Sequence, residues 1–245
     1  MNIIQLEHRD SEKYFLSRII TTDGVELAEL SRRNIALVEA MIRHDSDYSN
    51  SENTEDMKSS AFWLKELKKI LVEKKESQYT YRQILDYCVQ YIDSENSTHL
   101  NADGVGRKQL RERLEQVDKP KLIEFLRCPN KEDYKLVEIL SKKTTVEDDK
   151  HHARTNFSFA TKFCHYACFQ LFEGLTEQDN FSIFDSVVAK HLPKYAKHFS
   201  IPLPKDYKTN YSSYIALIDA IISKADEPIS RNGFDHLLWY FHKAR

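Results

Sequence analysis

Apolar residues recur at three- and four-residue spacing along most of the chain, with charged residues between them. This is the period of an amphipathic helix, which turns one face toward a core. Five segments carry the pattern clearly, and polar stretches separate them. Helices are therefore predicted at 57–75, 79–91, 106–117, 119–127 and 130–143, the last capped by Asn130.

The N-terminal part of the chain shows the same pattern in a less regular form. Residues 11–43 alternate short apolar clusters with charges, and an amphipathic helix is predicted to open near Asp23. Two polar stretches, 45–56 and 144–156, are predicted to form surface loops. The positions of the first helix that we expect to face inward are Leu27, Leu30, Ile35, Val38 and Met41.

The balance of residue types supports a helical fold. Only five glycines and six prolines occur in 245 residues, too few for a β-sandwich or barrel with many tight turns. We therefore predict an all-α fold made of one large domain or two lobes. Because Gly104 and Gly106 lie close together, the predicted division is an N-terminal helical region at 1–100 and a helical core at 101–245.

Charge and cysteine content narrow the class of protein. The formal net charge is −2, so the chain is no polycation, although a local basic face would still suit nucleic acid. The four cysteines are scattered, and the first ten residues lack the apolar core of a signal peptide. No apolar run approaches the roughly 20 residues of a membrane span. We expect a reduced cytoplasmic monomer that does not contact a membrane.

The first candidate for chemistry is Lys162, which is predicted in the first turn of the apolar helix NFSFATKFCHYACFQLF. A lysine in a helix is usually a solvated charge. If aromatic neighbours such as Phe163 and Phe169 desolvate this one, its amine becomes a nucleophile that can form a Schiff base. The same helix is expected to pack closely through a small-residue face, consisting of Ala160, Cys164, Ala167, Cys168 and Leu171.

The second candidate is Asp185, in the segment FSIFDSVVAKHL. Its ordinary role is that of a helix N-cap, since Asp is favoured there. A capping carboxylate is held rigidly at the positive end of the helix dipole. It can therefore also stabilise a developing oxocarbenium ion or orient a water molecule.

Two groups of polar residues are candidates for binding DNA phosphates. Helix starts offer free backbone N–H groups to anions, so the start of the lysine helix, capped by Asn156 or Ser158, is one such place. The basic run GRKQLRER is the other, although a charge run on a helix is as often a solvated face. No zinc spacing, P-loop or dinucleotide fingerprint occurs, so we predict neither metal nor cofactor. The predicted DNA-binding residues are Arg154, Asn156, Ser158, Arg107, Lys108 and Arg111.

The segments ATKFCHY and FSIFDSVVAKHL resemble those of helix-hairpin-helix DNA glycosylases, especially the 8-oxoguanine-glycosylase-like branch. In that family a lysine lies on the helix after the hairpin, and an aspartate follows roughly twenty residues later. Lys162 and Asp185, 23 positions apart, match these two residues. The C-terminal FDHLLWYFHKAR is similar to the closing helix of bacterial proteins related to this branch. The resemblance covers about residues 130–245.

The resemblance implies a two-lobed helical fold with a cleft between the lobes, and an enzyme that flips a base out of double-stranded DNA and removes it. Asp185 would assist departure of the base, and Lys162 would attack the sugar or contribute charge. Phe159, Tyr166 and Trp239 would form the base pocket. The substrate would be a damaged base or a modified base of phage DNA. The alternatives are a non-catalytic nucleic-acid-binding protein and a helical interaction protein on the same scaffold.

This chain departs from the family pattern at two places. The glycine-rich hairpin is missing, because RTNFSFATK contains no glycine, and Arg154 with Asn156 would take over its phosphate contact. The four-cysteine spacing of an iron–sulfur cluster is also missing. Cys164 and Cys168 are therefore interpreted as core thiols.

Overall fold

A computed structural model describes residues 3–7, 13–50, 59–96, 98, 100, 105–127, 134–144 and 155–243. These residues are mostly helical, which confirms the prediction of a helical fold. The helices described are α1 (Arg32–Asn50), α2 (Ser60–Leu71), α3 (Tyr81–Asn96), α4 (Val105–Glu115), α5 (Lys119–Arg127), α6 (Lys135–Ser141), α7 (Phe157–Leu171), α8 (Ser186–His198), α9 (Tyr211–Ile222) and α10 (Arg231–Lys243), with a short 3-10 helix at Thr176–Asp179.

The chain forms two compact units. The first unit is drawn from Met1–Thr54 and Asp185–Arg245, and the second unit is Glu55–Phe184. This division differs from the one predicted near residue 100. The reason is that α3 and α4, on either side of that position, pack against each other within the second unit.

A small antiparallel sheet in the first unit was not predicted. Strands β1 (Ile3–Glu7), β2 (Lys13–Ile20) and β3 (Glu26–Ala28) pair in the order β1-β2-β3. Ile19 pairs with Leu27, and a turn containing Gly24 joins β2 to β3 with a positive φ of 75°. The backbone N–H and C=O groups of this segment are paired between strands. Pairing with a distant strand leaves no local pattern in the sequence, so it was not predicted.

The prediction of a helix opening near Asp23 is therefore wrong. Asp23 lies in the turn before β3, and α1 begins only at Arg32. The buried Asn34 side chain fixes this start, since its amide donates to the carbonyl oxygens of Ser17 and Glu29 at 2.7 and 2.9 Å. All five residues predicted to face inward are nevertheless buried: Leu27, Leu30, Ile35, Val38 and Met41.

The other predicted boundaries hold to different degrees. The predicted loop at 45–56 is wrong for its first part, because α1 continues to Asn50. Helix α5 has the predicted bounds, and α2, α3 and α4 cover most of their predicted segments. The cap predicted at Asn130 and most of the polar stretch 144–156 lie outside the described residues.

The first unit is held together around α10. Its Gly233 lies against α1 so closely that a Cβ atom there would meet Cγ2 of Ile35 at 2.9 Å. The entry to α10 is fixed by Arg231, whose guanidinium donates two hydrogen bonds of 2.7 Å to the Asp219 carboxylate. The Tyr195 hydroxyl of α8 donates to the carbonyl oxygen of Ala28 at 3.1 Å and so ties α8 to the sheet.

The second unit is built around α7, which contacts α2, α3, α5 and α6. The predicted small-residue face is confirmed, because its five residues are all buried. An aromatic group supports α2 and α3, with the rings of Trp63 and Tyr87 stacked at 4.2 Å between centroids. In the described part of the chain, no helix is both long and apolar enough to cross a bilayer.

Candidate functional site

Lys162 is buried within the second unit. It is the sixth residue of α7, one turn later than predicted, and only 7% of it is exposed. Its amine donates a hydrogen bond to the backbone carbonyl oxygen of Asn96 at 3.2 Å. Lys162 is therefore largely removed from solvent.

Asn96, the last residue of α3, joins Lys162 to Tyr166 one turn further along α7. Its side-chain oxygen accepts a hydrogen bond from the Tyr166 hydroxyl at 2.9 Å. Its side-chain nitrogen donates to the carbonyl oxygen of Ile92 in the last turn of α3, also at 2.9 Å. Nothing local in the sequence marks Asn96, because its partners Lys162 and Tyr166 lie 66 and 70 residues further along the chain.

Asp185 caps α8 in the first unit, as predicted. Its carboxylate accepts the backbone N–H of Val188 at 2.9 Å. One carboxylate oxygen is thereby held by the helix start, where the dipole favours negative charge. The capping role of Asp185 is confirmed, and its catalytic role stays a prediction.

One hydrogen bond joins the chain neighbours of the two candidates. The hydroxyl of Thr161, the residue before Lys162, accepts the N–H of Phe184, the residue before Asp185, at 3.0 Å. The Phe184 ring also packs edge-on against Phe157 at 5.1 Å between centroids. Within the second unit, the segment that ends at Phe184 is thus tied to the first turns of α7.

His165 is buried on α7 beside the candidate lysine. Its Nδ1 lies 2.8 Å from the carbonyl oxygen of Phe181, and a carbonyl can only accept, so Nδ1 carries the donated proton. Burial lowers the pKa of His165, and the hydrogen bond to Phe181 opposes that change in part. Because its pKa is lowered, the imidazole of His165 favours the neutral form in the core of the second unit.

Of the residues predicted to contact phosphate at the start of α7, Asn156 uses its side chain within the protein. Asn156 holds the N-cap position, yet its side chain makes no cap and instead donates to the carbonyl oxygen of Lys142 at 2.9 Å. Ser158 lies inside the first turn, and its carbonyl oxygen accepts the Thr161 hydroxyl. Arg154 lies outside the described residues.

The basic run on α4 is largely paired. Arg107 donates to the buried carboxylate of Asp93 at 2.7 Å. The Arg111 side chain, 10% exposed, lies 3.4 Å from the Asp86 carboxylate and 3.8 Å from that of Glu115. Of the three predicted residues, Lys108 is the exposed one.

The three residues predicted for a base pocket have different surroundings. Phe159 is a core residue of α7, 1% exposed, with its ring 6.1 Å from that of Phe163. Tyr166 is half-buried and bonded to Asn96. Trp239 lies on α10 in the first unit and is 38% exposed. Within the described residues, no group of three or more His, Cys, Asp or Glu side chains is arranged to hold a metal ion.

Comparison with known proteins adds no relative. No protein-family model matches the chain, and no curated protein or solved structure matches it. The functional assignment therefore rests on the residues themselves.

Proposed function

We propose that this protein is a DNA glycosylase that hydrolyses the N-glycosidic bond of a damaged or modified base and leaves an abasic site. The observation that carries the proposal is the buried amine of Lys162, held on a backbone carbonyl in an apolar, aromatic helix. Burial favours the uncharged form of an amine, which is the nucleophilic one. A lysine with a purely solvating role would extend into water instead.

Asp185 supplies the negative charge that the reaction needs. When the bond between C1′ and the base nitrogen breaks, its electron pair leaves with the base, which takes up a proton, and positive charge develops on the sugar. The fixed carboxylate stabilises that charge. A water molecule then gives up a proton as its oxygen bonds to C1′.

Lys162 offers a second route to the same break. Its nitrogen bonds to C1′ as the base leaves with the electron pair of the glycosidic bond. The nitrogen gives one proton to the departing base. The C1′–O4′ bond then opens with its electron pair on O4′, which takes the second proton of the nitrogen, and an imine forms between the enzyme and C1′ of the sugar. This intermediate would give the enzyme an associated lyase activity.

The partner in this proposal is double-stranded DNA with the target base flipped out of the stack. We further propose a helical fold of the helix-hairpin-helix glycosylase type, a cytoplasmic location, and a modified base of phage DNA as the substrate. The missing hairpin glycines support an unusual substrate, since the usual backbone contact to phosphate has no counterpart in RTNFSFATK.

The test is base release from defined duplexes. The protein is incubated with DNA carrying damaged bases and with DNA carrying hypermodified cytosines, and alkali converts abasic sites into strand breaks. We expect breaks on at least one substrate, and their loss in Asp185→Asn. Asp226→Asn is the matched control, because Asp226 is an exposed carboxylate in the turn between α9 and α10.

The role of Lys162 is decided by borohydride trapping during turnover. A covalent protein–DNA adduct with the wild type, absent in Lys162→Met, supports the imine route. Active turnover without an adduct excludes that route and leaves hydrolysis assisted by Asp185. DNA binding without abasic product over the whole panel would contradict the enzyme and favour a non-catalytic nucleic-acid-binding protein. Neither binding nor product would favour a helical interaction protein.

A further inference from the structure

Three hydrogen bonds meet at Asn96, and together they connect α3 to the lysine helix. The backbone carbonyl accepts the Lys162 amine, the side-chain oxygen accepts the Tyr166 hydroxyl, and the side-chain nitrogen donates to Ile92. A hydroxyl donor on one end of the amide and a carbonyl acceptor on the other allow only one orientation of the amide group. The side chain therefore locks the turn that carries the carbonyl holding Lys162.

The end of α3 is also anchored on its other side. Glu95, the residue before Asn96, accepts the backbone N–H of Ser60 at 2.7 Å at the first residue of α2. The last turn of α3 is thus bonded to the start of α2 and to two successive turns of α7. A rigid support of this kind fixes the geometry of a reacting group better than a loop does.

We infer that Asn96 is a positioning residue, which holds the Lys162 amine and the Tyr166 hydroxyl in one fixed arrangement for attack on the sugar of a flipped nucleotide. This inference rests on the proposed glycosylase function. Tyr166, a residue of the predicted base pocket, is also hydrogen-bonded to Asn96. Asn96 therefore links the residue that would contact the base to the placement of the Lys162 amine.

The first test needs no substrate. The protein is treated with formaldehyde and a borane reductant, and methylation of Lys162 is followed by peptide mass spectrometry. Asn96→Leu keeps the branched shape of the side chain and removes both polar atoms, so we expect methylation of Lys162 to become about 2- to 10-fold faster, the range of one neutral hydrogen bond. Ser94→Ala is the matched control, because Ser94 bonds only its own helix, at the carbonyl oxygen of Tyr91, in the bonds described.

The second test uses base excision. Asn96→Leu is expected to lower kcat about tenfold with KM changed less than about twofold, because the amine is in position for a smaller fraction of the time. Asn96→Asp keeps the acceptor for the Tyr166 hydroxyl and adds a negative charge that favours a protonated amine. Its pH–rate profile is therefore expected to move to higher pH if Lys162 is the titrating amine, whereas the split between kcat and KM in Asn96→Leu reports on positioning.

The two proposals fail in different ways. Equal Lys162 methylation and equal kcat in Asn96→Leu and Ser94→Ala, with native circular dichroism, would overturn the role of Asn96 and leave the glycosylase intact. A wild type that excises no base would overturn the glycosylase, and with it the catalytic purpose of Asn96. If Asn96→Leu does not fold, Tyr166→Phe removes only the hydroxyl that donates to Asn96. Unchanged Lys162 methylation and kcat in that variant would overturn the inference.

Discussion

The hydroxyl of Thr161 accepts the backbone N–H of Phe184 at 3.0 Å, and both residues directly precede a candidate catalytic residue. Thr161 is fully buried. Thr161→Val keeps the shape and leaves that N–H without its acceptor, so we expect the free energy of unfolding to fall by about 1–3 kcal/mol. Urea unfolding measures the change, and base excision should fall with it because, within the second unit, the segment that ends at Phe184 loses its tie to α7.

Thr161→Ser is the control for this change. It keeps the hydroxyl and loses one buried methyl group, so the expected cost is only about 1 kcal/mol. The activity of the folded protein should remain near that of the wild type. If Val and Ser reduce activity equally, the hydrogen bond to Phe184 has no part in the site.

Asp185 can be separated into its two roles by choice of substitution. Asn and Asp are about equally good N-caps, so Asp185→Asn should change the free energy of unfolding by less than about 0.5 kcal/mol, whereas Asp185→Ala should cost about 1 kcal/mol. Both variants should lose base excision, because both lose the negative charge. Denaturant unfolding reports the loss of the cap, and the alkali assay reports the loss of the negative charge.

Asn210 provides a matched cap for comparison. Its side chain accepts the N–H of Ser213 at 3.2 Å at the start of α9. Asn210→Ala should cost about 1 kcal/mol, as any cap does, and leave excision intact. Full activity in Asp185→Asn would instead show that Asp185 only caps α8.

Local patterns in the sequence predict the structure correctly where the relevant contacts lie within one turn of a helix. Helix α5 has its predicted bounds, and the structure shows why: Leu122 and Leu126 lie on one buried face, and Pro120 lies in the first turn. The cap at Asp185 was likewise readable, because a cap depends on residues three apart. Both features involve contacts within one turn of helix.

Features that depend on distant parts of the chain were not readable. Strand β3 was predicted as helix because Leu27 fits either period, and only its pairing with Ile19 decides between them. Asn156 looked like a cap, but the Lys142 carbonyl competes for its side chain. The hydrogen bond of the Lys162 amine is likewise distant, because its acceptor is the carbonyl oxygen of Asn96 on α3. Whether Lys162 and Asp185 act together remains a prediction for the assays above.

Arg107 and Lys108 are neighbours on α4 with opposite expected effects. Arg107→Ala leaves the buried Asp93 carboxylate without its cation, so the free energy of unfolding should fall by roughly 1–3 kcal/mol. Lys108→Ala removes an exposed side chain and should stay within about 0.5 kcal/mol. Thermal or urea unfolding of the two variants makes the comparison.

The same pair tests the predicted DNA-binding run. If α4 follows a phosphate backbone, Lys108→Ala should reduce the slope of log affinity against log salt by about 1. Arg107→Ala should leave that slope unchanged, because its guanidinium is already paired with Asp93. An unchanged slope in Lys108→Ala would remove α4 from the DNA-binding surface.

His165 gives a prediction for pH. Burial lowers its pKa below the ordinary 6.5, so at pH just below 6.5 the unfolded chain binds a proton that the folded chain does not. The free energy of unfolding is then greatest above pH 6.5 and falls as the pH drops toward the folded-state pKa. His165→Gln cannot take up this proton, so its stability should fall less over the same range. Urea unfolding at a series of pH values, with an NMR titration of the His165 ring, measures both quantities, and parallel curves for the two proteins would refute the linkage.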